Sequence, residues 1–404
     1  MDHFPIIQAL CRAALAVPSP AVRKQIERLK DALGKEGDTK AAAALASLLT
    51  VAERITELSP SRIVRSREQF AGETLSRNTQ PPVDRESAAP LAEIIFPSNT
   101  PQSPPIFNMT VTTAIGTVLE EWSDLEAFAD VGIQPAKTCL IYGPPGTGKT
   151  RLALWLAGRL DLPVVVARID GLVSSFLGTT ARNIGNLFTF ANRYRCVLLL
   201  DEFDALAKLR DDPQEVGEIK RVVNALLQNL DSRRDIGLTI GITNHPRLLD
   251  PAVWRRFEIQ LEIPRPDFKV RVEIARHFMP PVEAPASHLR MIAWFTEGVT
   301  GAEIETLVRT YKKAVAISKG EPRQLLDTLR QFATLNSARI DPSRRELIFS
   351  NTGVLFRAMR QDAELGFSYE DIGEIAGRDK STVGRQIKGA ANDSGESDAM
   401  RPHG

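Results

Sequence analysis

The chain is short of cysteine, of aromatic residues and of net charge. Its three cysteines, Cys11, Cys139 and Cys196, are too few and too scattered for a disulfide framework, and none has a Cys or His neighbour at zinc-ligand spacing. They are expected to be small buried hydrophobes in a reducing compartment. Lys plus Arg number 51 against 50 Asp plus Glu, a net charge of +1 over 404 residues. That balance excludes a basic nucleic-acid coat, an acidic solvating tail and a membrane-surface polycation. No apolar run approaches the ~20 residues of a membrane span. The apolar stretch Phe4–Val17 follows Asp2 rather than a cationic leader, and Gln8 and Arg12 interrupt it. It reads as a helix and not a signal peptide, so a cytoplasmic location is expected. What remains, 43% hydrophobic and 25% charged residues, is ordinary globular composition.

The pattern along the chain changes several times. Residues 1–59 have helical spacing: Pro20 can open a helix after Ser19, and Val22, Ile26, Leu29 and Leu33 recur on one face. Asp38 can cap the next helix, which carries Leu45, Leu48, Leu49 and Ile55. This is expected to be a small adaptor-like helical domain. Residues 60–109 are rich in Ser, Thr, Gln, Pro and Arg, a linker composition expected to be partly disordered, although Leu91, Ile94, Ile95 and Phe96 could dock on a neighbour. From 110 to 264, five short apolar runs (138–142, 163–168, 196–200, 238–243, 257–263) alternate with helical stretches. That is the signature of a parallel five-stranded sheet with crossover helices, an α/β three-layer sandwich. Residues 265–349 are helical again, 350–390 form a further helical piece, and 391–404 read as a disordered tail.

Gly143, Pro144, Pro145, Gly146, Thr147, Gly148, Lys149 and Thr150 follow the first of those runs and open a helix. This is a P-loop in its required context. Its glycines let backbone N–H groups wrap a phosphate, Lys149 reaches the β- and γ-phosphates of ATP, and the Thr150 hydroxyl can ligate Mg²⁺. The run Val197–Leu200 then ends in Asp201 and Glu202. Asp201 is placed for the metal, and Glu202 can polarise a hydrolytic water.

These two segments resemble the AAA+ ATPases, and in particular the branch with the katanin, spastin, Vps4-type and FtsH-like enzymes. Gly241–Asn244 is similar to the family's sensor strand, with Asn244 holding the attacking water. Leu249–Phe257 resembles the arginine-finger segment, bearing Arg255 and Arg256. Glu297–Glu305 looks like a lid stretch in which Gly301 and Ala302 pack beside the nucleotide, and Gly132 of Asp130–Ile133 sits where adenine is contacted. The resemblance implies a P-loop NTPase fold with a helical lid, ATP hydrolysis with Mg²⁺, and a ring, a hexamer, in which each finger serves its neighbour's site. Phe176, Leu177 and Gly178 stand at the family's pore-loop position, where an aromatic grips a polypeptide. Arg210–Gly217 is a candidate second loop.

Residues 369–388 resemble a helix-turn-helix, with Gly377 in the turn, Ser381 as cap, and Thr382, Arg385, Gln386 and Lys388 facing outward. Arg378 stands where such motifs usually carry an aliphatic residue, and the four basic and four acidic residues from Tyr369 to Lys388 leave no electrostatic footprint for DNA. Two functions therefore stand. One is a protein-unfolding or disassembling ATPase with a protein substrate and, if it serves degradation, a separate peptidase chain. The other is a DNA-associated ATPase, a regulator or loader. A nucleotide switch that hardly turns over is disfavoured by Glu202, Asn244 and Arg255. Since every ATPase motif lies before residue 306, truncation ahead of Phe367 is expected to spare basal hydrolysis.

Overall fold

The computed structural model describes residues 20–35, 38, 40–47, 72–124, 128, 130–172, 177–204, 216–233, 236–317 and 325–399. The chain divides into two compact units, Met1–Ala71 and Gly72–Gly404. In the first, helix α1 (Pro20–Lys35) buries Ile26 and Leu33, about two turns apart on one face. Asp38 caps the helical stretch that follows, accepting from the Ala41 N–H at 3.1 Å, and Ala41 and Leu45 are buried. Leu48, Leu49 and Ile55 lie outside the described residues.

The second unit holds a sheet of β1 (Ala92–Ile95), β2 (Thr138–Tyr142), β3 (Val164–Ala167), β4 (Val197–Leu200), β5 (Thr239–Thr243) and β6 (Ile259–Glu262), in the order β1-β3-β4-β5-β2-β6. The five expected runs form β2 to β6, all parallel. Their alternate side chains go to opposite faces, which is why the runs are apolar throughout. Leu140, Val165 and Leu198 pack under α4 (Leu177–Ala191) and α5 (Val216–Asp231) on one face. Cys139, Ile141, Val164, Leu199, Ile240 and Ile242 pack under α2 (Met109–Ser123) and α3 (Lys149–Arg159) on the other. Cys139 and Cys196 are free and buried, and burial pushes the thiols up to about 12 and about 11, so both are inert packing residues.

Two expectations are corrected here. The sheet has a sixth strand, since β1 pairs antiparallel with β3, with Ala92 opposite Ala167 and Ile95 opposite Val164. It lies in the stretch expected to be linker. A four-residue strand flanked by Pro90 and Pro97 carries almost no periodic signal, and an edge strand tolerates such neighbours. The neighbour on which Leu91 and Ile94 dock is the sheet itself.

The helices after the sheet are α6 (Phe268–Phe278), α7 (Ala286–Phe295), α8 (Gly301–Ile317), α9 (Leu325–Leu335), α10 (Pro342–Phe349), α11 (Thr352–Gln361), α12 (Tyr369–Ala376) and α13 (Lys380–Ala399). α13 thus runs through 391–399, expected to be disordered tail. Lid and C-terminal helices share one core: Trp294, Phe295, Ile304 and Leu307 pack in the same cluster as Phe356, Phe367, Ile372, Ile375 and Val383. A polar seam reinforces it. Trp294 Nε1 donates to Asp362 Oδ2 at 2.7 Å, and the Arg344 guanidinium lies 4.1 Å above the Trp294 ring while pairing with both Glu297 and Asp362. The helix-turn-helix shape of α12 and α13 is present, with a Ser368–Asp371 capping box and Gly377 at φ 61° in the turn. The cap of α13, however, is Asp379 and not Ser381: its carboxylate accepts from the Thr382 N–H at 2.9 Å and holds the Ser381 and Thr382 hydroxyls. These hydrogen bonds hold the Asp379 carboxyl well below its usual range.

Candidate nucleotide site

The P-loop leaves β2 through Gly143, whose φ of +143° and surroundings admit no side chain: a Cβ there would lie 2.1 Å from the Ile263 carbonyl at the end of β6. The loop turns again at Gly146, φ +76°, where a Cβ would meet the Thr300 hydroxyl at 2.7 Å. Inside the turn, Lys149 Nζ donates to the carbonyls of Gly143 (2.9 Å) and Pro144 (2.7 Å), and Thr147 Oγ1 also donates to Pro144 O at 2.9 Å. Burial lowers the Lys149 pKa, and the carboxylates of Asp201 and Asp204 oppose that shift.

Parallel strands bring the second motif alongside, because β4 and β2 both flank β5. Thr150 Oγ1 donates to Asp201 Oδ2 at 2.7 Å, and the Glu202 N–H bonds Asp201 Oδ1 at 2.9 Å. Glu202 has φ +50°, the left-handed region that a non-glycine side chain rarely adopts. Strain of this kind concentrates where a side chain must be aimed. The next residue is pinned, with the Phe203 N–H on Ile242 O of β5 at 2.9 Å, and Thr243 Oγ1 bonds Asp204 Oδ1 at 3.1 Å.

These elements enclose a cavity of about 380 Å³. Pro145 to Thr150, Asp201, Glu202, Asn244, Gly301 and Ala302 line it, whereas Gly143 and Pro144 do not. The lid reaches the loop directly, the Ala302 N–H donating to Gly146 O at 3.2 Å. Gly132 is not brought to the cavity; Asp130–Ile133 is an exposed turn. The wall in its place is Pro104, Pro105 and Ile106, a strap from the stretch expected to be linker, with Pro105 3.5 Å from where a Gly148 Cβ would stand. Arg151 and, from the lid, Ile274, His277, Phe278 and Glu305 complete it. Only the spacing of Ile274, His277 and Phe278 on one face of α6 could have marked them in sequence.

Arg255 and Arg256 lie away from this cavity. Asp250 caps the one-turn helix Pro251–Trp254, with Ala252 N–H to Oδ1 at 2.6 Å, and Val253 and Phe257 are buried on either side. Both arginines that follow are exposed. Arg256 pairs with Asp231 at 2.6 Å, while Arg255 has no side-chain partner among the described residues. Phe176 lies outside the described residues, as do 210–215; Leu177 and Gly178 begin α4.

The family described as ATPase family associated with various cellular activities (AAA) matches residues 139–265. A protein named "Uncharacterized AAA family ATPase y4kL" from Sinorhizobium fredii is 35% identical over 263 residues, 64% of this chain and 76% of that one. The proteasome-activating nucleotidase of Thermococcus onnurineus is 36% identical over 189 residues, 45% of this chain and 48% of its own. The ATP-dependent zinc metalloprotease FtsH of Aquifex aeolicus is 31% identical over 253 residues, 59% of this chain and 40% of its own. The chain therefore spans about half or less of the length of the last two.

Proposed function

The chain belongs to the AAA family of ATPases and hydrolyses ATP, and from that premise we propose that it works as a ring which spends each ATP on unfolding or disassembling a protein substrate. One observation carries the ring: the cavity holds Glu202 and Asn244, yet Arg255 points to solvent on the same chain's surface. Arg151, the arginine this chain brings to the cavity, faces Ser103 and the strap, so in this reading the arginine that neutralises charge on the transferred phosphoryl arrives from a neighbouring subunit. A rotation that repeats this head-to-tail contact closes a ring, a hexamer by family likeness.

Within each site, Lys149 leaves its loop carbonyls for the β- and γ-phosphate oxygens. Glu202 accepts the proton of the attacking water, and Asn244 orients that water. Gly301 and Ala302 close the lid side. The Thr150 hydroxyl and Asp201 carboxylate, hard oxygen donors already 2.7 Å apart, suit Mg²⁺, which keeps several waters and needs few protein ligands. Bound there, the ion would neutralise charge on the β- and γ-phosphates.

The protein substrate is supported by the names of two relatives, an activator of a proteasome and an ATP-dependent protease. Phe176–Gly178 is the proposed grip. A folded, ATPase-active Phe176→Ala ring that no longer remodels its substrate is the expected result, whereas a large loss of stability returns Phe176 to the core. The direct test of function is to hold Glu202→Gln with ATP and identify what co-purifies. Recovery of a stoichiometric protein is expected; recovery of DNA alone overturns the reading. That second outcome belongs to the alternative, which rests on the helix-turn-helix geometry of α12 and α13. Against it stand the carboxylate of Asp379 at the start of α13 and Gln386, whose Oε1 is buried.

A further inference from the structure

Arg151 has no role in the chemistry described so far. It stands in the first turn of α3, directly after Thr150, and lines the cavity. Its Nη2 reaches the Ser103 hydroxyl at the start of the strap, at 3.4 Å. Its Nε is shut off from solvent and has no hydrogen-bond partner among the described residues. A guanidinium is charged at every working pH and has donors in a fixed fork, suited to pairs of phosphate oxygens. A buried N–H of such a group without an acceptor is costly, so an acceptor is expected there.

The direction of the side chain says which acceptor. Thr150 faces Asp201, on the side of Glu202 and the terminal phosphates. Arg151, one residue on, faces Ser103 and the Pro104–Ile106 wall. A nucleotide with its terminal phosphates at Lys149 and Asp201 and its nucleoside against the strap carries its α-phosphate between them, beside Arg151. We propose that Arg151 is a nucleotide-binding residue, its side chain turning from Ser103 so that Nε and the guanidinium fork donate to the α-phosphate. It thereby supplies affinity that survives loss of the γ-phosphate. This rests on the nucleotide site proposed above and is independent of what the ring acts on.

The test is equilibrium binding of ADP and of ATP to the full chain, for wild type, Arg151→Leu, Arg151→Lys and Ser103→Ala. A charge-assisted pair is worth enough that Arg151→Leu should weaken both nucleotides about tenfold or more, and by the same factor. Arg151→Lys should recover part of that loss, Ser103→Ala should lose much less, and the preference for ATP over GTP should not move. Three results would overturn the proposal. ADP affinity of Arg151→Leu within twofold of wild type removes the contact. A loss confined to ATP places the arginine on the γ-phosphate. A full loss in Ser103→Ala makes the guanidinium a tether for the strap. Wild-type protein that binds neither nucleotide would instead sink the site itself.

Discussion

The sheet and the helices that follow it are held together by different physics. Around the sheet, both faces are packed by apolar side chains, and charged groups sit at the strand ends: Lys149 and Asp201 at the cavity, and buried Arg233 at the opposite end, where it donates to the Ala191 and Cys196 carbonyls. The helical half also has an apolar core. Through it runs a seam of partly buried charge, Arg344 between Glu297 and Asp362, with Arg271 donating to the Ala293 carbonyl at 2.7 Å. The sheet half is thus expected to be indifferent to pH and salt in its stability and sensitive in its chemistry. The helical half should be the reverse.

The sharpest way to break that contrast is truncation before Phe367. It strips Phe367, Ile372, Ile375, Ala376 and Val383 from the shared core, and one buried aromatic alone is worth ~3–5 kcal/mol. The lid should unfold or aggregate while the sheet half keeps its transition, seen as loss of one of two calorimetric peaks. Basal hydrolysis should fall with the lid, contrary to the expectation from motif positions. A truncated chain with full ATPase and both peaks would show that the two pieces are separable.

Next in size is Glu202→Gln. Hydrolysis should drop on the order of 10² or more while nucleotide occupancy persists and the thermal midpoint holds. Single-turnover rates near wild type would remove Glu202 as the base. Arg344→Ala should leave Asp362 without its cation and Trp294 without its cover, costing roughly 2–3 kcal/mol in the helical transition only. Denaturant midpoints for the two halves would test that restriction.

The smallest effect is a pH dependence. His288 on α7 is half-buried, bonded through Nδ1 to Tyr311 Oη at 3.0 Å, and its buried Nε2 has no hydrogen-bond partner among the described residues. Burial lowers its pKa from the ordinary histidine value of 6.5, against the opposing pull of Glu374. The unfolded chain therefore takes up the proton first as pH falls. Stability is full above about 6.5 and declines below it until the folded pKa is passed. The helical midpoint should drop between pH 7.5 and 5.5, and His288→Gln should flatten the slope. A slope confined to the sheet half would point elsewhere.

The legible parts of this molecule were those written contiguously. The P-loop announces itself because eight neighbours must all suit one turn, and Asp201–Glu202 because a buried run precedes them. Asn244 and Gly301–Ala302 were placed by family likeness, and both line the cavity. The strap was illegible because Pro101, Pro104 and Pro105 say only that the chain is extended, not that it lies against Gly148. Gly132 rested on a likeness of only four residues, and the structure leaves it in an exposed turn that does not line the cavity. At α13 the expected cap was Ser381, and Asp379, two residues earlier, takes the Thr382 N–H instead. The shared core of lid and C-terminal helices had no signature, since amphipathic faces do not say which partner covers them.

One hydrogen bond, from the Ala302 N–H to Gly146 O, has a mechanical consequence. It fastens the phosphate loop to α8, which shares its core with α12 and α13. α13 has 20 residues, a rod ~30 Å long at 1.5 Å per residue. A fulcrum at one end of a stiff body and a long rod at the other make a lever. If the lid turns by ~10° about its anchor when a phosphate leaves, the far end of that rod sweeps ~5 Å, from its length alone. Spin labels at Arg159 and Lys388 would read that travel as a change in their separation between the ATP and ADP states.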